Sequence, residues 1–243
     1  MGKAYLSKLA KPPLIEYLKE QGYDLFFVGN QRPGHPRFES NVDPRINTHA
    51  DIYMCQLGVW EEAGLYMGDA DELGAEYPAD AIFNCVCTKD FFIHNLEHTN
   101  HDLADAAMIW RENLAFQSGE RHGQTVAVNV KQAYTRCNLL PIDNSSFITS
   151  DAGIAKALEP TEADVLLIRP GHVLLPGYPY GFLPGTAGCI FTKAKEKVVL
   201  FNGDLSAHPD SKAILSFIQK RNIYPVWFRG YPLEDIGSIL AVE

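Results

Sequence analysis

The sequence predicts a mixed α/β fold assembled from repeated β-β-α-β units, and three observations support it. Residues 81–130, 136–168 and 188–228 each read as two short strands, a helix and a third strand. Apolar runs rich in β-branched residues mark the strands, and apolar residues at helical spacing mark the helices. The stretches recur with a period of about 40 residues, which is typical of closed repeat architectures.

The complete units follow one another along the chain, separated by connections rich in glycine and proline. The first unit, over 81–130, has strands AIFNCVC, FFIHN and TVAVNV and the helix DLADAAMIWRENLAF. The second, over 136–168, has RCNLLPI, SFITS and DVLLI and the helix DAGIAKALE. The third, over 188–228, has GCIFTK, KVVLFN and YPVWF and the helix PDSKAILSFIQKRN.

Two further units would close a ring. Residues 51–80 supply the strands DIYMCQL and GLYMG and a helical turn, DADELG. The C-terminal strand IGSILAV lacks a helix, whereas the N-terminus opens with the helix PPLIEYLKEQG and the strand DLFFVG. Joined, the ends complete a fifth unit and leave no exposed sheet edge. We therefore expect residues 1–243 to form a single domain, a five-unit propeller, with Leu25–Val28 and Ile239–Val242 in one sheet. An ordinary α/β sandwich is the alternative.

Charge and cysteine content narrow the classes of partner. The chain has 243 residues, a net charge of −9, a pI near 5.4 and no run rich in Lys or Arg. This balance argues against nucleic acid or an anionic membrane as a partner and favours a small-molecule ligand that is cationic. Because there is no signal sequence and no apolar run of about 18 residues, we expect a cytoplasmic protein. The five cysteines lack a disulfide spacing, so we expect reduced thiols.

Five stretches of sequence carry a resemblance to a known family. NVKQAYTRCN, SDAGIAKALE, PGHVLLPGYPYGFLPG, FNGDLSAHPD and PLEDIGSIL resemble a family of uncharacterised bacterial proteins of the pentein fold, over nearly the whole chain. Penteins are guanidino-group-modifying enzymes, such as arginine deiminase and dimethylarginine dimethylaminohydrolase, with β-β-α-β units in a ring. The resemblance implies that fold, and it implies a Cys-dependent hydrolase or amidinotransferase that acts on a small guanidino or amidine compound.

Three motifs of those enzymes have similar stretches here. EDIGSIL resembles their acidic turn, although Ser238 stands in place of its trailing Asp; HADIYMCQL resembles their H-x-D before a strand, and TRCNLLPI their cysteine before a strand. The resemblance implies that Cys137 is the nucleophile and His49 the acid–base group, with Asp235, or alternatively Glu234, orienting His49. The acidic motif comes last in the chain, yet the cyclic order acid, His, Cys is kept. The chain therefore resembles a circular permutant.

The chemistry explains why those residue types are needed. A guanidinium carbon resists attack by water, and a covalent thiol adduct splits one difficult displacement into two easier ones. A nearby imidazolium or a cationic substrate favours the thiolate, so we expect Cys137 to be the most reactive thiol. Carboxylates pair with a planar guanidinium, and the candidates are Asp51, Asp43 and Asp204. Four cations in connections could instead hold a carboxylate or phosphate: Arg45, Lys131, Arg169 and Arg229.

Residues 170–188, PGHVLLPGYPYGFLPGTAG, make a connection too long for a simple turn. The stretch predicts a lid or pore-lining loop, in which His172, Tyr178 and Tyr180 are candidate ligand contacts. His208 is a further candidate. The glycines of residues 170–188 lack the strand and helix that flank a phosphate-binding fingerprint.

Structural roles remain open for each of these residues. Cys137 could be packed core, His49 could bond a loop carbonyl, and Asp235 could cap a turn. Asp204 fits a turn, and His208 precedes a helix start. A non-catalytic binding module on the same fold is therefore the first alternative function.

A metal-dependent hydrolase is the second alternative. It would use a set of histidines and cysteines that lie close in sequence: Cys85, Cys87, His94, His98 and His101. The C-x-C spacing and the lack of a clean H-x₃-H on one helix weaken this interpretation. We expect no cofactor and no metal.

Overall fold

The structure is a computed structural model that describes residues 2–29, 40–60, 63–118 and 125–243. In these ranges the helices are α1 (Pro12–Glu20), α2 (Ala50–Tyr53), α3 (His101–Ser118), α4 (Thr135–Asn138), α5 (Ala152–Leu158) and α6 (Ser211–Gln219). The N-terminal strands are β1 (Lys3–Ser7), β2 (Asp24–Val28), β3 (Met54–Leu57), β4 (Gly64–Met67), β5 (Val86–Cys87), β6 (Phe91–His94) and β7 (Val126–Asn129). The remaining strands are β8 (Leu139–Pro141), β9 (Ser146–Thr149), β10 (Asp164–Leu167), β11 (Ala187–Phe191), β12 (Lys197–Phe201), β13 (Tyr224–Val226) and β14 (Leu240–Val242).

The described strands form several small sheets rather than a closed barrel. Three sheets have the orders β14-β1-β2, β8-β9-β10 and β11-β12-β13. In each, the first two strands are antiparallel, and the last two are parallel and joined by a helix. The set β5-β6-α3-β7 repeats this pattern within the sheet β4-β3-β5-β6-β7. The hairpin β3-β4 joins it through one parallel pairing, Leu57 with Cys87.

The two ends of the chain share one sheet, as the sequence predicted. β1 lies between β2 and β14, with Lys3 opposite both Asp24 and Val242. β1 was not predicted from the sequence, because the KAYLS stretch is short and ends in Ser7, a polar residue at a buried position. Ser7 is buried because its hydroxyl donates a 2.7 Å hydrogen bond to Thr48.

Three of the helices that join parallel strands form where apolar pairs repeat at helical spacing. Each of the three buries two aliphatic side chains four positions apart: Leu14 and Leu18 in α1, Ile154 and Leu158 in α5, and Ile214 and Ile218 in α6. Asp151 caps α5 by accepting hydrogen bonds from the backbone N–H groups of Gly153 and Ile154. These pairs hold the helices against the sheets. None of the described helices is long and apolar enough to span a membrane.

Two four-residue helices replace the starts of two predicted strands. The sequence predicted continuous strands over DIYMCQL and RCNLLPI, but α2 precedes β3 and α4 precedes β8. Every residue of both short helices is buried. The chain also stays out of the sheet over 236–239, so β14 is shorter than predicted. Each of these irregular segments carries residues of the site described next.

Candidate active site

Side chains from two distant segments meet beside the short helices. A ring nitrogen of His49, a carboxylate oxygen of Asp51 and Sγ of Cys137 lie within 4.8 Å of one another. His49 immediately precedes α2, Asp51 lies in α2 and Cys137 in α4. The Cys137 thiol donates a hydrogen bond to Oδ2 of Asp51 over 3.1 Å. The structure therefore brings Cys137 together with His49 and Asp51, which the sequence placed in a different motif.

Asp51 forms hydrogen bonds with several of the segments that meet at this site. Its Oδ2 also accepts a 2.6 Å hydrogen bond from the hydroxyl of Ser238, and its backbone N–H donates to the carbonyl of Gly237 over 3.2 Å. Oδ1 is buried and has no hydrogen-bond partner among the described residues. Burial raises the pKa of Asp51, and His49 and the two donors to Oδ2 oppose that rise. A buried carboxylate oxygen without a donor is suited to bind a ligand N–H group.

Asp235 also lies near His49. Its Oδ1 is 4.0 Å from Nδ1 of His49, which is too long for a hydrogen bond. Backbone N–H groups of Phe182 and Gly237 donate to Asp235 over 2.9 and 3.0 Å and fix its orientation. Burial raises the pKa of Asp235 to about 6, so it is largely ionised at neutral pH. Burial also lowers the pKa of His49, so its ring is neutral there.

Glu234, the alternative partner of His49, points elsewhere. Its carboxylate forms an ion pair with Nζ of Lys11 over 2.7 Å. Of the two acidic residues in this motif, only Asp235 lies against His49.

A cavity of about 170 Å³ lies beside His49, Cys137 and Asp235, which are the residues of its wall able to do chemistry. Asp51 is fully buried and does not line this cavity. The rest of the wall is mostly apolar and aromatic. The remaining lining residues are Ile46, Ile52, Tyr134, Leu175, Tyr178, Tyr180 and Phe182. Four of these come from the long connection over 170–188, which therefore lines the cavity.

The pKa of the Cys137 thiol differs from what the sequence led us to expect. The sequence predicted a raised thiolate fraction, but the pKa of Cys137 lies well above the usual value because of burial and then because of Asp51 and Asp235. The neutral ring of His49 supplies no positive charge to offset them. The thiol is therefore protonated at neutral pH unless a cation enters the cavity.

Two further residues at the site were not identified as candidates from the sequence. Asn84 is buried and donates to Sγ of Cys137 over 3.4 Å. Arg136 is also buried, and its guanidinium donates to the carbonyls of Pro184 and Ala187 over 3.3 and 3.2 Å. Its charge lowers the pKa of Asp235. Arg136 could have been suspected only from its place next to Cys137.

Asp43 and Arg45 bind each other. Nε of Arg45 donates to Oδ1 of Asp43 over 2.9 Å, and this guanidinium holds the pKa of Asp43 well below its usual range. Arg45 also stacks on the ring of Tyr178, 4.2 Å from its centroid, and the Tyr178 hydroxyl donates to Asp43 over 3.2 Å. Arg45 thus packs against the ring of Tyr178, which lines the cavity, and the opposite charges of Asp43 and Arg45 balance each other.

Asp204 and His208 have local structural partners. Asp204 caps a 3-10 turn, Leu205–Ala207, by accepting a 2.9 Å hydrogen bond from the backbone of Ser206. Nδ1 of His208 accepts from the backbone N–H of Asp210 over 3.1 Å. Neither residue lines the cavity.

The other predicted ligand contacts also lie away from the cavity lining. The ring of His172 packs on that of His208 at 5.5 Å. Arg169 forms an ion pair with Asp210 over 2.7 Å. Lys131 and Arg229 are exposed and do not line the cavity.

The histidine and cysteine cluster does not gather into a metal site. Both ring nitrogens of His94 are occupied, Nδ1 by the hydroxyl of Thr99 and Nε2 by the carbonyl of Ala133, each at 2.8 Å. Within the described ranges, one group of His, Cys and acidic atoms is compact enough to share an ion, and it is the group around Cys137. The alternative based on His94, His98 and His101 is therefore not supported.

Comparison with known proteins gives a family and weak structural likenesses. Residues 60–240 match the model described as "Family of unknown function (DUF6873)". No curated protein matches the chain. The chain is similar to C. jejuni agmatine deiminase, at a TM-score of 0.31 and 14% identity, and to a substrate-bound cysteine-to-serine variant of C. jejuni agmatine deiminase, at 0.33 and 15%. Each likeness covers 56% of this chain and only 46% of the other. Because the family model spans most of the sequence, the chain belongs to DUF6873, a family of unknown function.

Proposed function

We propose that this protein is a Cys-dependent enzyme that hydrolyses, or transfers the amidino group of, a small guanidino or amidine compound. One observation carries the proposal: Sγ of Cys137, the ring of His49 and the carboxylate of Asp51 meet within 4.8 Å, and Cys137 and His49 line a cavity together with Asp235. A nucleophile, a proton carrier and paired carboxylates are the groups that this reaction needs.

The charges at the site favour a cationic substrate. Asp51 and Asp235 raise the pKa of Cys137, and a guanidinium bound between the carboxylates and the sulfur would reverse their effect. The substrate would then supply the positive charge that turns the thiol into a thiolate. A site that is activated only when occupied also protects the thiol from other electrophiles.

The reaction can be written with His49 as the proton carrier. His49 takes the thiol proton, and the thiolate of Cys137 forms a carbon–sulfur bond to the guanidinium carbon. The imidazolium returns that proton to the leaving amine as the carbon–nitrogen bond breaks. His49 then takes a proton from water, whose oxygen bonds to the same carbon while the carbon–sulfur bond breaks. The imidazolium returns this proton to the sulfur and restores the thiol, and the remaining proton on the new oxygen passes to the released amine. The products are an amine and a urea; an acceptor amine in place of water gives amidino transfer.

The five-unit ring remains part of this proposal. Four β-β-α-β sets are complete, one of them assembled from β14 and the N-terminal β1-α1-β2, and the hairpin β3-β4 would be the reduced fifth. A pentein ring cut at a different unit would place the acid, His and Cys motifs in the order seen here. We propose a single domain on this basis.

We expect a guanidino ligand to raise the melting temperature. At a concentration of about 100 Kd, agmatine or arginine would stabilise the protein by about 2.7 kcal/mol, or roughly 5–10 °C for a domain of this size. Asp51→Asn should abolish the shift because it removes the charge with little change of shape, whereas Cys137→Ser should retain it.

Asp43→Asn is the matched control for that experiment, because the charge of Asp43 is already satisfied by Arg45. It should retain the shift. Differential scanning fluorimetry makes the measurement. A shift caused by phosphate or carboxylate metabolites, with none from guanidino compounds, would rule out guanidine chemistry.

A cationic alkylating reagent should select Cys137. We expect chloroacetamidine to alkylate Cys137 at least about tenfold faster than the neutral chloroacetamide, because a charged hydrogen bond to a buried carboxylate is worth about 1.5–3 kcal/mol. Peptide mapping after brief treatment compares the five thiols. Asp51→Asn should erase the preference. Equal rates for the two reagents, or labelling that spares Cys137, would favour the non-catalytic binding module.

A further inference from the structure

Asn84 connects the two short helices of the site. It is fully buried. Its Nδ2 donates to the carbonyl of Asp51 over 2.9 Å and to Sγ of Cys137 over 3.4 Å. Its Oδ1 accepts from the backbone N–H groups of Arg136 and Cys137 over 2.7 and 3.2 Å. Both N–H bonds and both lone pairs of this side-chain amide are thus in use.

These partners fix which end of the amide faces the sulfur. The two backbone N–H groups at the start of α4 can only donate, so the atom beside them must be the oxygen. A flipped amide would oppose two donors with an NH₂ group and would leave the carbonyl of Asp51 facing an oxygen. The NH₂ group therefore points at Sγ of Cys137.

The surroundings of the sulfur make this donor distinctive. Asp51 accepts the thiol hydrogen, and Asp235 adds a second negative charge nearby. The ring of His49 is neutral, and the buried guanidinium of Arg136 donates to backbone carbonyls. In the described part of the chain, Asn84 is the one side chain that donates a hydrogen bond to this sulfur.

We propose that Asn84 is a further catalytic residue, whose NH₂ group stabilises the sulfur of Cys137 whenever negative charge develops on it. This inference rests on the proposed function. The sulfur is anionic twice in that reaction, before the carbon–sulfur bond forms and as it breaks. The hydrogen bond strengthens at both points, because a charged acceptor binds a donor more tightly than a neutral one. The other three hydrogen bonds of Asn84 hold the nucleophile in register with Asp51.

Alkylation of Cys137 by iodoacetamide tests the proposal without any guanidino compound. Asn84→Ala and Asn84→Asp should both lower the rate about tenfold or more near pH 8, because a hydrogen bond to a charged group is lost. The pH at which the alkylation rate rises should increase by about one pH unit. Asn84→Ser is the least disruptive variant and should change the rate in the same direction.

Asn138 supplies the matched control. It is buried in the same helix α4, and its Nδ2 donates to the carbonyl of Tyr134 over 3.0 Å rather than to the sulfur. Asn138→Ala should lower the melting temperature and leave the pH profile of alkylation unchanged. All rates are measured well below the melting temperature of each variant, so that only folded protein reacts.

Three results would overturn the proposal: wild-type rates in the Asn84 variants, an equal loss in Asn138→Ala, or an effect confined to Asn84→Asp. The last would trace to the added carboxylate charge. The proposed function fails separately, if the alkylation profile shifts as expected but no guanidino compound binds or reacts. If turnover is found, Asn84→Ala should lower kcat and leave KM nearly unchanged, as expected for an interaction made in the transition state.

Discussion

We expect that a chain without residues 236–243 does not fold cooperatively at room temperature. The deletion removes β14, which pairs with β1, and three buried aliphatic side chains: Ile236, Ile239 and Leu240, each at most 1% exposed. Burial of one such side chain is worth about 1.5–3 kcal/mol, so roughly 5–9 kcal/mol is lost. Native proteins are stable by only about 5–15 kcal/mol in total. The expected loss is therefore comparable to the whole free energy of unfolding.

Urea unfolding followed by circular dichroism measures this effect. The full chain should give a sigmoidal transition, and the shortened chain a broad, gradual one. Removal of Glu243 alone is the control, because its side chain pairs with Lys195 at the surface and should contribute little. A sigmoidal transition of unchanged slope in the shortened chain would show that the two ends do not form one structural unit.

The second large effect is expected from Gly237→Ala. Gly237 has a φ of +69°, and a Cβ built there would lie 2.0 Å from Cβ of His49. The left-handed conformation costs about 1–2 kcal/mol for alanine, and forcing the overlap adds about 1–3 kcal/mol. We therefore expect a loss of about 2–5 kcal/mol, together with slower alkylation of Cys137 by chloroacetamidine, because His49 and Asp51 must move.

Gly171→Ala separates the two causes. Gly171 has a φ of +87°, but nothing lies within 4 Å of its added Cβ. It should therefore show only the conformational cost, with no change in the reactivity of Cys137. Denaturant unfolding and peptide mapping give both readouts. An equal loss of stability in the two variants, with Cys137 unaffected, would mean that the contact between Gly237 and His49 is unimportant.

Sequence patterns predicted most of the secondary structure, because it follows from local residue types. The repeat of leucine and isoleucine pairs in α1, α5 and α6 indicates both the helices and their buried faces. The one-turn helices α2 and α4 were not predicted. They depend on contacts with remote segments, such as the bond from the Asp51 backbone to Gly237.

The site, too, has residues that local motifs indicate and residues that depend on contacts with remote segments. The pentein resemblance pointed to His49, Asp51, Cys137 and Asp235, and the structure brings these residues together. Asn84 lay unnoticed in a predicted strand, because its partners come from positions more than 30 residues away. The pairing of Asp43 with Arg45 was likewise not predicted, although the two residues are only two positions apart.

The contacts of Asp51 also determine when the site can form during synthesis. Asp51 bonds Cys137 across 86 positions of the chain and Ser238 across 187. Contacts so distant in sequence require large loops to close before they stabilise anything, so they form late. Asp235 and Ser238 follow Cys137 in the chain, so they emerge from the ribosome after it. A nascent polypeptide that has not yet reached Asp235 would therefore carry Cys137, His49 and Asp51 without the acidic residue beside His49 and without the serine that bonds Asp51.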